Sequence, residues 1–168
     1  MSPRVSGVFT EINPPRLADP MLSFFKNYWD GKRGGRTMPA RADIKPAEMK
    51  QYLPWVVMVD VQPGFTDFRY RMVGTRVTEY LAPQATGKLI SEVFAAHGDT
   101  VQRAMLAPYR KSARDVVVVH AWGAADWLGR AFLDFETLYL PLSNDGLTAN
   151  MVLAAIKFEL AGPLKSQG

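Results

Sequence analysis

The chain contains no cysteine. That excludes disulfides, thiolate metal sites, cysteine nucleophiles and iron–sulfur clusters, and leaves packing to supply the stability. Histidine is almost as scarce, with His97 and His120 the two copies. No window approaches the roughly 18 apolar residues of a membrane span. The longest runs, such as Trp55-Val56-Val57-Met58-Val59, have the length of a strand. Met1 to Gly7 lack the apolar stretch of a secretory signal, so a cytoplasmic protein is expected. Neither a Gly-x-Ser-x-Gly elbow nor a phosphate-cradling glycine loop is present, and the pairs Asp134/Glu136 and Asp115/Asp126 have no spacing that argues for acid–base work. A non-catalytic protein is expected.

What is present is ample core. The 168 residues are 48% hydrophobic and include nine Phe, six Tyr and four Trp, enough for one compact domain and too many for a disordered chain. Twenty basic against sixteen acidic residues leave a net charge of +4, which permits a polyanionic partner without demanding one.

Residues 1–18, with Pro3, Gly7, Pro14 and Pro15, read as an extended arm. Asp19-Pro20 opens a helix, because an aspartate can cap free N–H groups and proline fits the first helical position. Met21, Phe24, Phe25 and Tyr28 follow with helical spacing. They either pack on the core or meet a second copy of the chain. Gly34-Gly35 stops this helix in a cationic loop, and Pro46 starts another short one that ends near Leu53-Pro54.

Trp55–Val61 and Phe68–Val73 read as a hairpin across Pro63-Gly64. Short helices are expected at 76–81 and 90–94, then a longer one from Thr100 that Pro108 kinks or ends. Val116–Trp122, Ala131–Leu142 and Thr148–Phe158 complete five strands, the last two joined at Ser143-Asn144-Asp145-Gly146. Two strands, helices and three strands imply an α+β domain. Val116–Val119 are apolar on both alternating faces, so the middle of the sheet needs cover on each side. The N-terminal helix is the natural second cover.

Several motifs appear in a telling order: Tyr28-Trp29, Arg33-Gly34-Gly35-Arg36, Pro39-Ala40-Arg41-Ala42-Asp43-Ile44, Pro46-Ala47-Glu48, Leu53-Pro54, Arg69-Tyr70-Arg71-Met72-Val73-Gly74-Thr75-Arg76, Thr86-Gly87 and Leu140-Pro141-Leu142-Ser143-Asn144-Asp145-Gly146. Over residues 22–156 this resembles the PAS sensory-domain family, in particular small bacterial single-PAS proteins with an N-terminal helix before the core. Lys45 departs from that subgroup, which often places an acidic cap there, and no kinase, cyclase or output helix follows the core. The resemblance implies a five-stranded antiparallel PAS sheet with short helices on one face and an N-terminal capping helix. The segments would be an arm (1–18), a helical cap (19–53), a PAS core (54–159) and a tail (160–168). It implies a sensor or adaptor in bacterial signalling that binds a small ligand or a protein partner, while the aromatic stripe of Met21, Phe24, Phe25 and Tyr28 is the reason to expect a homodimer through the N-terminal helix. The resemblance names no cofactor.

His120 and Trp122 share strand parity with Val116 and Val118, so the four are expected on one face. There they line a ligand pocket with Ile90, Val93, Phe94, Met105, Tyr109, Phe135 and Tyr139, or else fill the core. His97, Asp99 and His120 spell a two-histidine, one-carboxylate metal set, although Asp99 also suits a helix cap. A small-molecule-binding enzyme or a haem protein using His120 is the alternative reading. Arg33, Arg36 and Arg41 form the densest basic cluster and could grip nucleic-acid phosphates. Pairing with carboxylates such as Asp43 and Asp60 is the structural alternative, and on it no nucleic-acid partner is expected.

Overall fold

The computed structural model describes residues 10–12, 17–125 and 133–160. Six strands form one antiparallel sheet: β1 (Thr10–Ile12), β2 (Val56–Val61), β3 (Phe68–Val73), β4 (Val119–Ala124), β5 (Leu133–Leu142) and β6 (Met151–Leu160). Their spatial order is β1-β4-β5-β6-β2-β3. The five expected strands are all present. The sixth, β1, comes from the stretch read as a bare arm and lies along the free edge of β4, with Ile12 opposite His120 and Thr10 opposite Trp122. Such a cover hides hydrogen-bonding groups that an open edge would present to other chains.

The first helix, α1 (Pro20–Arg33), starts as its sequence dictates. Asp19 accepts a hydrogen bond from the Leu22 N–H, and Pro20 occupies the first turn. It ends where Gly34 takes φ 57°, a value glycine adopts without penalty. Short 3-10 segments follow at Arg41–Asp43 and Pro46–Trp55. Lys45 caps the second with no side-chain hydrogen bond, as expected of a side chain that cannot accept from the free N–H groups. Between β3 and β4 lie α2 (Thr75–Tyr80), α3 (Ile90–Phe94) and α4 (Asp99–Asp115). Pro108 sits inside α4 and does not end it.

The end of α4 corrects one expectation. Val116–Val118, read as the start of a strand, precede it: Val116 at φ 54° and Val117 cap the helix, both donating N–H to Ser112 O, and Ser112 Oγ donates to Val117 O at 2.9 Å. The β-branched run looked like strand, but its first two residues close a helix whose last carbonyls need partners.

The sheet is covered on both faces. Tyr139 of β5 meets Tyr109 of α4 edge-on at 4.8 Å, so Tyr139, Thr137 and Phe135 point towards the helices α2–α4. Leu138, Leu140 and Leu142 alternate to the other side, where α1 lies; Trp29 Nε1 there donates to Pro141 O at 2.8 Å, and Lys157 binds Asp19 at 2.9 Å. Burying Leu22, Phe25 and Trp29 of α1 contributes roughly 1.5–3 kcal/mol for each side chain.

Gly74 joins β3 to α2 under tight constraint. A Cβ there would lie 2.4 Å from the carbonyl oxygens of Leu53 and Pro54, so only glycine lets these backbones approach. Its N–H donates to Val56 O at 2.7 Å. The close approach pins the 3-10 segment at 46–55 to the β2–β3 hairpin.

Candidate functional site

The helix-covered face carries a buried aromatic cluster. Phe68 lies 5.7 Å from Tyr109, which in turn meets Tyr139. On β3, Tyr70 alternates with Phe68 and therefore shares its face. Burial pushes the hydroxyls of Tyr70, Tyr109 and Tyr139 towards the neutral form, and the three lie close enough to reinforce one another. Beside Tyr139, the wholly buried Thr137 Oγ1 makes no hydrogen bond of ordinary geometry, although its proximity favours the ionised form of Tyr139.

Of the ten side chains expected to line a pocket, Tyr109, Phe135 and Tyr139 share this face, and Ile90, Phe94 and Met105 are buried on the helices that cover it. Val93 is half-buried. Val118 lies before β4 begins, outside the strand ladder.

His120 and Trp122 do not join them. Val119 pairs with Tyr139 and Ala121 with Thr137, whereas His120 pairs with Leu138 and Trp122 with Glu136. Paired residues of an antiparallel ladder share a face, so His120 and Trp122 lie on the α1 side. The expected parity rested on Val116 and Val118, which are not in the strand. Sequence reasoning also missed Tyr70, although its alternation with Phe68 could have revealed it.

On the α1 side His120 is buried, its Nε2 lies 2.6 Å from Glu136 Oε2, and among the described residues its Nδ1 has no hydrogen-bond partner. The Trp122 ring is 5.9 Å away, and its Nε1 is likewise unpartnered among them. Lys157, opposite Glu136 on β6, is bound by Asp19, which holds its ammonium above the usual lysine range. This polar strip therefore borders the N-terminus of α1. His97, Asp99 and His120 do not converge; among the described residues no group of three or more histidine, aspartate or glutamate side chains is placed to hold a metal ion.

The side chains proposed for a dimer divide. Met21 and Phe25 are consumed by the chain's own core. Phe24 and Tyr28 stay half-buried, stacked at 5.8 Å, with Tyr52 5.2 Å from Phe24. Tyr28 is also tied down: its hydroxyl donates to Glu48 and accepts from the Lys45 N–H, both at 2.9 Å. Burial raises the Tyr28 pKa, with Glu48 adding to the effect.

The basic cluster is largely neutralised within the chain. Arg33 pairs with Asp30, Arg36 with Asp43 and Lys32 with Glu48. The Ala40 N–H and Arg36 together hold the Asp43 carboxyl below its usual range. Arg41 bonds the Ile44 carbonyl rather than an acid, and Asp60 is taken by Arg71. The same segment reaches the β5–β6 turn, where Thr37 Oγ1 donates to Gly146 O at 2.8 Å and the Ser143 N–H to Pro39 O at 2.9 Å. Asp145 closes that turn by accepting from the Thr148 and Leu147 N–H groups and the Ser143 hydroxyl, which lowers its pKa to about 2. Motifs far apart in sequence are thus one physical junction.

No helix among the described residues is long and apolar enough to cross a membrane. No curated protein matches the chain. Among solved structures it is similar to an RNA-binding light-oxygen-voltage receptor, with a TM-score of 0.51 and 13% identity; the match covers 99% of this chain and 42% of the receptor chain. That likeness concerns the fold. The family model for the PAS domain matches residues 18–157, which contain the α1 cap, β2 to β5, most of β6 and the intervening helices. The chain belongs to the PAS domain family.

Proposed function

We propose that this sensory domain acts without catalysis, as a cytoplasmic sensor or adaptor in bacterial signalling that binds a small ligand at the aromatic cluster under α2–α4 and passes its state to a protein partner. The observation that supports the reading is a cluster of three buried tyrosine hydroxyls beside the buried Thr137 Oγ1 in an otherwise apolar interior. A ligand there shifts a two-state packing only to the extent that it binds one state better. Its chemistry would be mostly aromatic or aliphatic, with one or two groups able to hydrogen-bond hydroxyls. The half-buried Phe24 and Tyr52 support self-association along α1.

Native and denaturing mass spectra of freshly purified protein test this directly. The expected result is a native mass exceeding the bare chain, from a ligand lost on denaturation, from a second copy, or from both. Light scattering at tens of micromolar checks the dimer, which Phe24→Glu should dissociate. A bare monomer by both methods, unchanged by cell extract metabolites, would remove the sensor reading.

A further inference from the structure

We infer that the exposed face of α4 binds the phosphate backbone of single-stranded nucleic acid. The argument begins with a contrast between two basic regions. Around Gly34-Gly35, Lys32, Arg33 and Arg36 each hold a carboxylate of this chain. Along α4, Arg103, Ala107, Arg110, Lys111 and Arg114 follow at helical spacing on the side away from the buried Met105, Tyr109 and Ser112. Among the described residues Asp115 is shared by Lys111 at 3.4 Å and Arg114 at 3.6 Å, and Asp99 stands one turn before Arg103. Exposed pairs of that kind hold little energy. The helix end adds roughly half a negative charge, so a clear positive excess remains.

The stripe is also shaped. Ala107, Arg110, Lys111, Arg114 and Asp115 line a surface groove of about 340 Å³, where the small Ala107 leaves space between longer basic side chains. The central guanidinium is positioned in advance: Arg110 Nε donates to Phe65 O at 2.9 Å and Nη2 to Thr66 O at 3.1 Å. Its orientation cost is already met before any phosphate arrives. Phe65 supplies a second, independent observation. It is a half-buried aromatic, packed in part against the core, at φ 56°, a left-handed backbone that is uncommon for a bulky residue and therefore a candidate for function.

A cationic groove beside a partly accessible aromatic is the combination that holds single strands without reading their sequence, through phosphate contacts and base stacking. From Arg103 to Arg114 the stripe extends about 16 Å along the helix, room for several consecutive phosphates. Guanidinium groups dominate it, and their paired donors match phosphate oxygens well.

The test is fluorescence anisotropy with labelled oligouridine and oligothymidine of about 15 nucleotides, between about 50 and 200 mM salt. Binding is expected to weaken by roughly tenfold across that range, as release of about two counterions requires. The double variant Arg103→Glu/Arg114→Glu should lower affinity at least tenfold and flatten the salt slope, with an unchanged circular dichroism melt. Lys45→Glu/Lys50→Glu changes net charge equally far from the groove and should leave affinity within about twofold. No binding at the lower salt would overturn the inference. So would equal losses in both double variants, or displacement of the oligonucleotide by polyglutamate at equal charge concentration.

Discussion

The two faces of the β4–β5–β6 sheet differ by one residue of register and by nearly everything in chemistry. Tyr139 points to the helices and joins a cluster of neutral hydroxyls among rings. Leu138, its neighbour, points to α1 and shares that side with the His120–Glu136 pair. One face is a buried aromatic cluster with polar hydroxyls inside it. The other is a packed seam that grades into a polar strip at the start of α1. Because side chains alternate strictly along a strand, a slip of one residue would exchange the two roles, and the register is therefore the functional statement.

The largest effects should come from breaking the seam. Leu138→Ala removes a wholly buried side chain under α1 and should cost about 2–5 kcal/mol, read as a lower denaturant midpoint. Gly74→Ala forces a methyl into two backbone carbonyls; overpacking costs about 1–3 kcal/mol, and the melt should show it. Trp29→Phe keeps an aromatic ring, though a smaller one, and deprives the Pro141 carbonyl of its buried donor, which alone costs about 1–3 kcal/mol. Loss of the seam at unchanged inner-face tyrosine fluorescence would show that the two faces are separable.

The smallest effect concerns pH. Asp145 is lowered to about 2 in the folded protein, below its ordinary value, so its ionised form stabilises the fold above that ordinary value. The contribution is lost as pH falls through about 2. Asp145→Ala should therefore flatten the acid limb of the stability curve between about pH 4 and pH 2, while leaving neutral stability reduced.

Much of this was legible in the chain. Asp19-Pro20 marked the helix start, Phe68–Val73 and Ile90–Phe94 were readable to the residue, and the demand for cover on both faces anticipated α1. What failed was local and had one physical source. Val116–Val118 carry strong strand propensity, yet the carbonyls at the end of α4 recruit the first two as a cap. That moved the strand start and removed the parity argument for His120 and Trp122. Pairings over long separation, such as Trp29 with Pro141 or Thr37 with Gly146, leave no mark in periodicity. The sheet's sixth strand was also hidden, because three residues are too few to show alternation.

Nuclear Overhauser contacts of the His120 ring test the central claim most directly. The account predicts contacts from His120 to Trp122 and Leu138 and none to Tyr109 or Tyr139. Contacts from His120 to Tyr109 would contradict it, placing the imidazole inside the aromatic cluster and shifting β4 by one residue against β5.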